Sequence, residues 1–334
     1  MKAIVATGGA VDGLRDVELP PPVAGAHDLV VEVRAVSVNP VDAKVRARAG
    51  GPGPPRVLGW DAAGVVAEVG PAVTRFRPGD EVWFAGDVRR AGSNAERCAV
   101  DERIVGRKPR SLGFAEAAAL PLTALTAHEA LLARVQLGRG AASAGKRLLV
   151  IGGAGGVGSV AIQLAKALTG ASVTATASRP ESAAWARELG ADHVIDHARP
   201  LGPQLEGLGL PAPDVVLCTA DTDPYFSQLA ALIAPQGTLC FIVPPRAPVD
   251  LAPLHARSAA VAWELMFTRS TYGTADLEEQ HRILTEVAAL VDAGRIRSTL
   301  RQRLGPICAA TLREAHRRIE RGDTIGKIVL EGWG

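Results

Sequence analysis

The sequence has little cysteine, no long apolar run and no excess of charge of either sign. Its four cysteines, Cys98, Cys218, Cys240 and Cys308, lie far apart and form no Cys-x-x-Cys pair, a pattern typical of reduced and buried thiols in the cytosol. No window approaches ~18 uninterrupted apolar residues, so we expect no transmembrane helix. The 37 basic residues nearly cancel the 35 acidic ones, which excludes a global field that recruits nucleic acid or an anionic membrane.

The N-terminal stretch MKAIVATGGA is too short an apolar segment for a secretory signal, and it leads directly into a predicted strand. We therefore expect a cytoplasmic protein with no membrane partner. The length of 334 residues exceeds the ~250 to 300 residues that usually share one hydrophobic core, so it predicts two domains.

The pattern of apolar residues changes along the chain. Residues 1–110 alternate short apolar runs with Pro and Gly clusters, as in DLVVEVRAVSVN and GGPGPP, which predicts a β-rich domain. From KRLLVIG to the late strand in SAAVAWELMF, strands that are apolar on both faces alternate with helices, which predicts a doubly wound parallel sheet. The last segment, which ends in the strand KIVL, is too short for a core of its own, so we expect it to pack on the first domain.

The most specific chemical signal is the segment RLLVIGGAGGVGSVAIQLAK. Gly153, Gly155 and Gly158 have Gly-x-Gly-x-x-Gly spacing after a strand and at the beginning of a helix. In a dinucleotide-binding turn the first glycine makes the turn, the second lets the backbone approach a diphosphate, and the third permits close packing of helix on strand. With Gly156 and Val157, these residues predict a diphosphate site at the helix N-terminus. The alternative is a purely structural glycine-rich turn.

The end of the second strand of this domain, VTATASRPE, indicates which nicotinamide cofactor binds. An NAD-binding domain usually has Asp or Glu there, whose carboxylate accepts hydrogen bonds from the ribose hydroxyls. This chain has Ser178 followed by Arg179, so nothing repels a 2′-phosphate and a guanidinium can pair with it. We therefore predict NADPH as the cofactor; the alternative is that Arg179 lies in a solvated loop without a ligand.

Motifs along nearly the whole chain resemble the medium-chain dehydrogenase/reductase superfamily, in particular its quinone-reductase-like branch and the zinc-type alcohol dehydrogenase-like group. They include SVNPVDAKVR, VLGWDAAGVVAEVG, PGDEVWFAG, AAALPLTALTAHEAL, GGAGGVGSVAIQLAK and GDTIGKIVLE. The resemblance implies an α/β fold with a Rossmann cofactor-binding domain at residues 123–267. It further implies a GroES-like β-rich catalytic domain, built from residues 1–122 and 268–334, with the active site in the cleft against the cofactor domain.

The resemblance also exposes a departure from the zinc-dependent relatives. There the stretch that corresponds to GWD reads GHE, and its histidine is a metal ligand; this chain has Trp60, which has no lone pair for zinc. The relatives' cysteine ligands align with Asn39 and Leu122, neither of which is a thiolate. The structural zinc lobe needs four close cysteines, yet residues 90–110 contain only Cys98. Catalytic zinc normally has three protein ligands, so we predict that the protein holds no metal.

Without zinc, an alcohol is hard to oxidise, because the metal stabilises the alkoxide. Hydride delivery to a quinone, or to a C=C bond conjugated to a carbonyl, remains feasible, since donors can stabilise the charge that develops on oxygen. Asn39 and Lys44 are candidate donors, and Asp42 is a candidate for orienting Lys44 or for protonation. Alternatively, Asn39 starts a turn, and Asp42 and Lys44 are a solvated pair. Many quinone-reductase relatives have tyrosine at the Lys44 position, so the sequence identifies no proton donor.

Three more site assignments come from the resemblance alone. Thr126 matches a position that touches the nicotinamide, and alternatively bonds carbonyls of its own helix. Lys327 matches a lysine close to the cofactor, and alternatively is a charge on an edge strand. Trp60 is either an apolar wall for the substrate or nicotinamide, or a tryptophan buried for packing.

The sequence and its resemblance therefore predict a zinc-independent, NADPH-dependent oxidoreductase that transfers a hydride to a quinone, an enone or an enal. We expect the loops RARAGGPGPPR and MFTRSTYG to decide among these acceptors. One alternative is a structural or single-stranded nucleic-acid-binding member of the family; its basic stretch REAHRRIERG has interleaved glutamates and no aromatic residue for base stacking. A zinc alcohol dehydrogenase is another, disfavoured by the missing ligands. The late strand AVAWELMF would leave an apolar sheet edge exposed, which predicts a homodimer.

Overall fold

The computed structural model describes residues 1–49 and 55–334. Residues 50–54, inside the loop RARAGGPGPPR, lie outside the described residues. The expectation that this part of the loop helps to decide among acceptors therefore stays a prediction. The chain divides into two compact units, which we call the split unit (Met1–Leu125 with Phe267–Gly334) and the middle unit (Thr126–Met266). The domain boundaries inferred from the sequence, after residues 122 and 267, stay a prediction.

The elements are numbered in chain order. The strands of the described residues are β1 (Lys2–Ala6), β2 (Leu14–Glu18), β3 (Asp28–Val38), β4 (Arg56–Val57), β5 (Ala62–Val69), β6 (Glu81–Phe84), β7 (Arg97–Asp101), β8 (Val105–Arg107), β9 (Arg147–Ile151), β10 (Ser172–Thr176), β11 (His193–Ile195), β12 (Val215–Cys218), β13 (Thr238–Phe241), β14 (Ala260–Trp263), β15 (Leu300–Arg303) and β16 (Lys327–Glu331). The α-helices are α1 (Pro40–Arg48), α2 (Phe114–Ala118), α3 (Pro121–His128), α4 (Gly156–Leu168), α5 (Pro180–Glu188), α6 (Leu201–Gly207), α7 (Phe226–Leu232), α8 (Ala252–His255), α9 (Thr268–Tyr272), α10 (Glu279–Asp292) and α11 (Ala309–Arg321).

Strand β3 is the centre of the split unit. The larger sheet has the order β15-β16-β3-β5-β6-β8, and β7 also pairs with β3. The C-terminal strand β16 runs antiparallel to β3, with Ile328 opposite Val38. The expectation that the last segment packs on the N-terminal part of the chain is therefore confirmed. A smaller sheet of order β2-β1-β4 completes the strands of this unit.

The middle unit is built on six parallel strands in the order β11-β10-β9-β12-β13-β14. From β9 the strands continue outward in both directions, which is the order of a doubly wound dinucleotide-binding sheet. Strands β9, β12 and β13 consist almost entirely of buried residues, because helices cover both faces of such a sheet. The predicted parallel sheet is confirmed, and the order reverses between β9 and β12.

No helix in the described part of the chain combines the length and the apolar character needed to cross a bilayer. All four cysteines are free; three of them are buried and Cys308 is partly exposed.

Candidate functional site

Helix α1 begins with residues that the sequence singled out. Asn39 has an extended backbone directly before the helix, and Pro40 is its first residue, where a missing N–H costs nothing. The Asp42 side chain turns back, and its Oδ2 accepts a hydrogen bond of 2.6 Å from the backbone N–H of Asn39. Asp42 is 1% exposed, and its Oδ1 has no hydrogen-bond partner among the described residues. Capping the helix therefore uses only one of the two carboxyl oxygens.

The side chains of Asn39, Asp42, Asp61 and Lys327 form a buried group in the split unit, which we call the Asp61 cluster. Asp61 Oδ2 accepts a hydrogen bond of 3.0 Å from Asn39 Nδ2, and Asp61 Oδ1 accepts one of 3.0 Å from the backbone N–H of Leu122. Lys327 Nζ lies 3.1 Å from Asp61 Oδ2 and donates to Asn39 Oδ1. The cluster thus joins the start of α1, the start of β5, the start of α3 and the start of β16.

Chemistry fixes the orientation of the Asn39 amide. Lys327 can only donate and an ionised Asp61 can only accept, so the amide oxygen faces the lysine and the nitrogen faces the aspartate. The third acceptor of the Lys327 ammonium is the carbonyl oxygen of Val38, at 3.0 Å. Since β16 lies between β15 and β3 and the ammonium is buried, the alternative that Lys327 is a charge on an edge strand is wrong.

Burial governs the protonation of both carboxyl groups in the Asp61 cluster. It raises the pKa of Asp42 to about 7, against the opposing effects of the Asn39 hydrogen bond and the Lys327 charge. It also raises the pKa of Asp61, against the opposing attraction of the Lys327 ammonium that Asp61 contacts. One positive charge serves two carboxyl groups, so the cluster retains a proton near neutral pH. Asp42 carries it, because the Lys327 ammonium forms its ion pair with Asp61, whereas the hydrogen bond to Asp42 comes from the uncharged Asn39 N–H.

Lys44 does not belong to the Asp61 cluster. Its side chain is exposed, whereas Asp42, two residues earlier on α1, is buried. Side chains two positions apart on a helix do not face each other. The structure therefore does not bring Asp42 and Lys44 together, and the alternative of a solvated pair is wrong for Asp42.

Trp60 packs inside the split unit. The indole is 1% exposed, and its N–H donates a hydrogen bond of 3.1 Å to the carbonyl oxygen of Asp87. Its ring meets Phe267 edge to face, with 6.4 Å between the ring centroids, and the Arg56 guanidinium lies 5.7 Å from the ring centre. The packing role is thus explained by contacts, while a role as a wall for substrate or nicotinamide stays a prediction.

The residues at the positions that align with zinc ligands do not fit a zinc ion. Asn39 has both ends of its amide bonded within the Asp61 cluster, Trp60 offers no lone pair, and Leu122 contributes a backbone N–H. The Lys327 ammonium at Asp61 would repel a dication. Within residues 1–49 and 55–334, no three His, Cys, Asp or Glu side chains lie close enough together to hold a metal ion.

In the middle unit, the glycine-rich loop joins β9 to α4 at the carboxyl end of the sheet. The left-handed backbone of the turn is at Gly152, with φ +78°, one residue before the motif's first glycine, Gly153. A Cβ at Gly153 would lie 2.7 Å from Ala175 Cβ, so this position is kept bare by packing against β10. The Gly152 N–H donates to Thr176 Oγ1 at 3.0 Å, which ties the loop to the end of β10.

Two other glycines of the motif have different roles in this loop. A Cβ at Gly158 would lie 2.2 Å from the carbonyl oxygen of Gly152, so only glycine permits the helix to approach the turn. A Cβ at Gly155 would contact only the carbonyl oxygen of Gly152, at 3.4 Å, so the outer side of the loop is open. The N–H groups of Gly156 and Val157 begin α4 and have no helical acceptor. The loop therefore fits a diphosphate, which these N–H groups can bind.

The remaining predicted cofactor residues also lie in the middle unit. Ser178 and Arg179 are exposed after β10, and Arg179 directly precedes α5. Neither position has a carboxylate, as the sequence already showed. Thr126 is 5% exposed on α3. Its contact with a nicotinamide stays a prediction.

Sequence analysis missed Asp61, which is fully buried and contacts Asn39, Leu122 and Lys327. A signal was present: Asp61 follows Trp60 directly, at the acidic position of the relatives' GHE stretch. An acidic residue inside a run of small apolar residues predicts a buried charge, which needs a partner. The sequence does not reveal that the partner is Lys327.

Comparison with known proteins identifies both parts of the fold. Residues 25–129 match the model of the alcohol dehydrogenase GroES-like domain, and residues 189–330 match that of the zinc-binding dehydrogenases. A zinc-type alcohol dehydrogenase-like protein of Staphylococcus aureus (strain MSSA476) is 39% identical over 304 residues, which are 91% of this chain and 90% of the relative. The crystal structure of a candidate zinc-dependent alcohol dehydrogenase from Rhizobium etli CFN 42 is 50% identical, with a TM-score of 0.96 over 100% of this chain and 98% of that one.

Two further relatives differ from these in their named activity. Escherichia coli quinone oxidoreductase, solved in complex with NADPH, is 25% identical with a TM-score of 0.84, over 99% of this chain and 100% of that one. An NADPH-dependent alkenal/one oxidoreductase of Arabidopsis thaliana is 42% identical over 201 residues, which are 57% of this chain and 50% of the relative. The predicted combination of a Rossmann domain with a GroES-like domain is confirmed, and the chain belongs to the medium-chain dehydrogenase/reductase superfamily of oxidoreductases.

Proposed function

We propose that this oxidoreductase is a zinc-independent, NADPH-dependent reductase of quinones or α,β-unsaturated carbonyl compounds. The observation that carries the proposal is the chemistry at the positions aligned with zinc ligands, where Asn39, Trp60 and Leu122 supply no metal donor set. An alcohol substrate needs its alkoxide stabilised, whereas a quinone or enone is already electrophilic. The quinone oxidoreductase and the alkenal/one oxidoreductase among the relatives support the same class of acceptor.

The choice of NADPH rests on the middle unit. In the proposal, the loop of Gly153, Gly155, Gly156, Val157 and Gly158 binds the diphosphate through the free N–H groups at the start of α4. The exposed pair after β10, Ser178 and Arg179, recognises the 2′-phosphate, since it offers a hydroxyl and a guanidinium and no repelling carboxylate. The NADPH complex of the quinone oxidoreductase supports this choice. The proposed places of Thr126 and Lys327 beside the nicotinamide rest on resemblance.

When bound, NADPH supplies the hydride that adds to the electrophilic carbon of the acceptor. In the proposal, Asn39 donates to the acceptor oxygen, where negative charge develops. Lys44, which is exposed on α1, stays a second candidate donor from the sequence alone. One of the two Nδ2–H groups of Asn39 is committed to Asp61, which leaves the second for this role. Asp42 is the proposed proton donor, because burial raises its pKa to about 7 and a general acid works best with a pKa near the working pH. Trp60 is the proposed apolar wall.

We also propose a cytoplasmic homodimer. Strand β14 is the outermost strand of the parallel sheet, so one of its edges pairs with no other strand in the part of the chain that the structure describes. Trp263 on this strand is 47% exposed and Leu265 just after it is 56% exposed. Pairing of two such edges would cover both side chains and the free backbone groups. Four free thiols support a reducing compartment.

The basic stretch REAHRRIERG gives no support to nucleic-acid binding as a second function. It lies on α11, where Arg317 pairs with Asp12 at 2.7 Å and Arg318 pairs with Glu314 at 2.7 Å. His316 is fully buried and offers no surface for base stacking. Binding to single-stranded DNA that weakens steeply with salt would support this alternative nevertheless.

The test is a steady-state screen of quinones, enals, enones and alcohols with NADPH and with NADH, in the presence of a chelator. We expect reduction of quinones or enones with NADPH preferred, and no dependence on added zinc. Activity on alcohols alone, and only after zinc is added, would show that the proposal is wrong.

A further inference from the structure

Two of the three sequence positions that the resemblance aligns with metal ligands contact one carboxyl group. Asn39 Nδ2 and the Leu122 backbone N–H each lie 3.0 Å from an oxygen of Asp61, and Trp60 precedes Asp61 in the chain. A metal ion holds its ligands by bonding all of them, and here a carboxylate bonds two of the three positions instead. The direction of bonding is reversed. A metal ion accepts lone pairs from its ligands, whereas the Asp61 carboxylate offers its own lone pairs to the N–H groups at these positions.

A positive charge is nevertheless present at this point. The Lys327 ammonium lies 3.1 Å from Asp61 Oδ2 and is 3% exposed. It has three N–H groups, and Asn39 Oδ1, Asp61 Oδ2 and the Val38 carbonyl oxygen supply three acceptors. Lys327 thus has no donor left for a substrate. It acts through its charge and its hold on Asn39, and water does little to screen a charge that is buried to this extent.

We propose that the Asp61–Lys327 ion pair takes over the structural and electrostatic work that a zinc ion does in zinc-bearing relatives. Asp61 fixes the Asn39 amide and the start of α3, and Lys327 holds its ammonium against the oxygen of the Asn39 amide. Asp61 is a positioning residue that does not touch the acceptor. This inference deepens the proposed function, and only its kinetic test, the comparison of kcat values, rests on that function.

The pair also excludes zinc from this position. A dication would have to displace the ammonium from Asp61 and would then find one carboxylate and one amide as ligands beside the Leu122 backbone N–H. Asp42, the other acidic group of the cluster, has a neutral N–H as its nearest partner. Native mass spectrometry of the protein with one equivalent of ZnCl2 should therefore show no stoichiometric zinc. Stoichiometric zinc that disappears in Asp61→Asn would overturn the proposal.

Two single variants and their combination test the positioning role. Asp61→Asn and Lys327→Met each remove one charge and leave the other buried, so both should unfold at a lower temperature than the wild type. Asp61→Asn/Lys327→Met leaves no unpaired charge, so it should unfold at a higher temperature than either single variant. Its kcat for quinone or enone reduction should nevertheless stay about 100-fold below wild type, a loss typical of misplaced reacting groups. Lys327→Arg keeps the charge and should recover most of the kcat that Lys327→Met loses.

The matched control is Asp80→Asn, which makes the same chemical change at a partly buried aspartate of the same unit that pairs with Arg107 at 3.0 Å. Its kcat should stay within about twofold of wild type, because Asp80 bonds Arg77 and Arg107 and no member of the Asp61 cluster. Wild-type kcat in the Asp61→Asn/Lys327→Met variant would overturn the proposal, since the pair would then be dispensable for catalysis.

A readout without catalysis separates this proposal from the proposed function. The Leu122 N–H is bonded to Asp61 Oδ1, so amide hydrogen exchange at the start of α3 should be at least about tenfold faster in Asp61→Asn, with α10 unchanged. If the wild type reduces none of the acceptors, the proposed function fails, while faster exchange at Leu122 still supports the positioning role. Unchanged exchange there would overturn it whatever the activity.

Discussion

Replacing Asp42 with asparagine should change how folding stability depends on pH. Asp42 is 1% exposed, and burial raises the pKa of its carboxyl group from 3.8 to about 7. Between these values the folded protein keeps a proton that the unfolded chain has lost, so the free energy of unfolding falls as the pH rises. At about 1.36 kcal/mol per pH unit, this loss reaches about 4 kcal/mol above pH 7.

His316 has the opposite effect and serves as the matched comparison. Burial, together with the Arg46 charge, lowers the pKa of its imidazole from 6.5 to about 4. Between these values the unfolded chain carries a proton that the folded protein lacks, so stability falls as the pH drops, by about 3 kcal/mol in total. In the wild type the two effects oppose each other from about pH 4 to 6.5.

Urea unfolding followed by tryptophan fluorescence, at a series of pH values, measures both effects. Relative to wild type, the stability of Asp42→Asn should rise progressively as the pH increases from about 4 to 7, while that of His316→Gln should fall as the pH increases from about 4 to 6.5. Other titrating groups cancel in these differences, because the variants share them. If Asp42→Asn and wild type had parallel stability curves over this range, the buried carboxyl would not hold its proton, and its proposed role as a proton donor would lose its basis.

Three further variants test other parts of the molecule. Gly158→Ala places a Cβ 2.2 Å from the Gly152 carbonyl oxygen, so it should lower the free energy of unfolding by about 1–3 kcal/mol and abolish tight NADPH binding in a fluorescence titration; unchanged stability and affinity would contradict the loop geometry. Ser178→Asp should repel the 2′-phosphate beside Arg179. It should therefore lower the kcat/KM for NADPH relative to that for NADH at least about tenfold, which corresponds to about 1.4 kcal/mol. An unchanged ratio would mean that the 2′-phosphate lies elsewhere. Trp263→Glu puts a charge on the edge strand β14, so light scattering should show a monomer for this variant and the proposed dimer for the wild type, and an intact dimer of the variant would mean that another surface pairs.

Much of the fold could be predicted because it depends on local patterns. Strands that are apolar on both faces and alternate with helices indicated the parallel sheet, and β9, β12 and β13 are buried accordingly. The glycine motif indicated a turn between a strand and a helix. Its spacing did not show that the left-handed backbone is at Gly152, or that Gly153 lacks a side chain because Ala175 packs against it.

The candidate site was only partly predictable, because its contacts join distant segments. Asn39 and Asp42 were singled out from one motif, and α1 does bring them together through a capping hydrogen bond. Lys44 belonged to the same motif, yet the helical rotation turns it to solvent. The motif thus identified the segment that contributes to the site. The helix decided which of its side chains are buried in the site and which are exposed to solvent.

By itself, the sequence determined the α/β architecture, the glycine-rich turn, the missing carboxylate at Ser178 and the loss of zinc donors at Trp60. These follow from residue type and from spacing over a few turns of chain. Only the tertiary structure decided that Lys327 serves Asp61 and Asn39, 288 residues from the latter. The pairing of β16 with β3, Ile328 opposite Val38, creates that contact, and strand register depends on packing of the whole unit rather than on any local pattern.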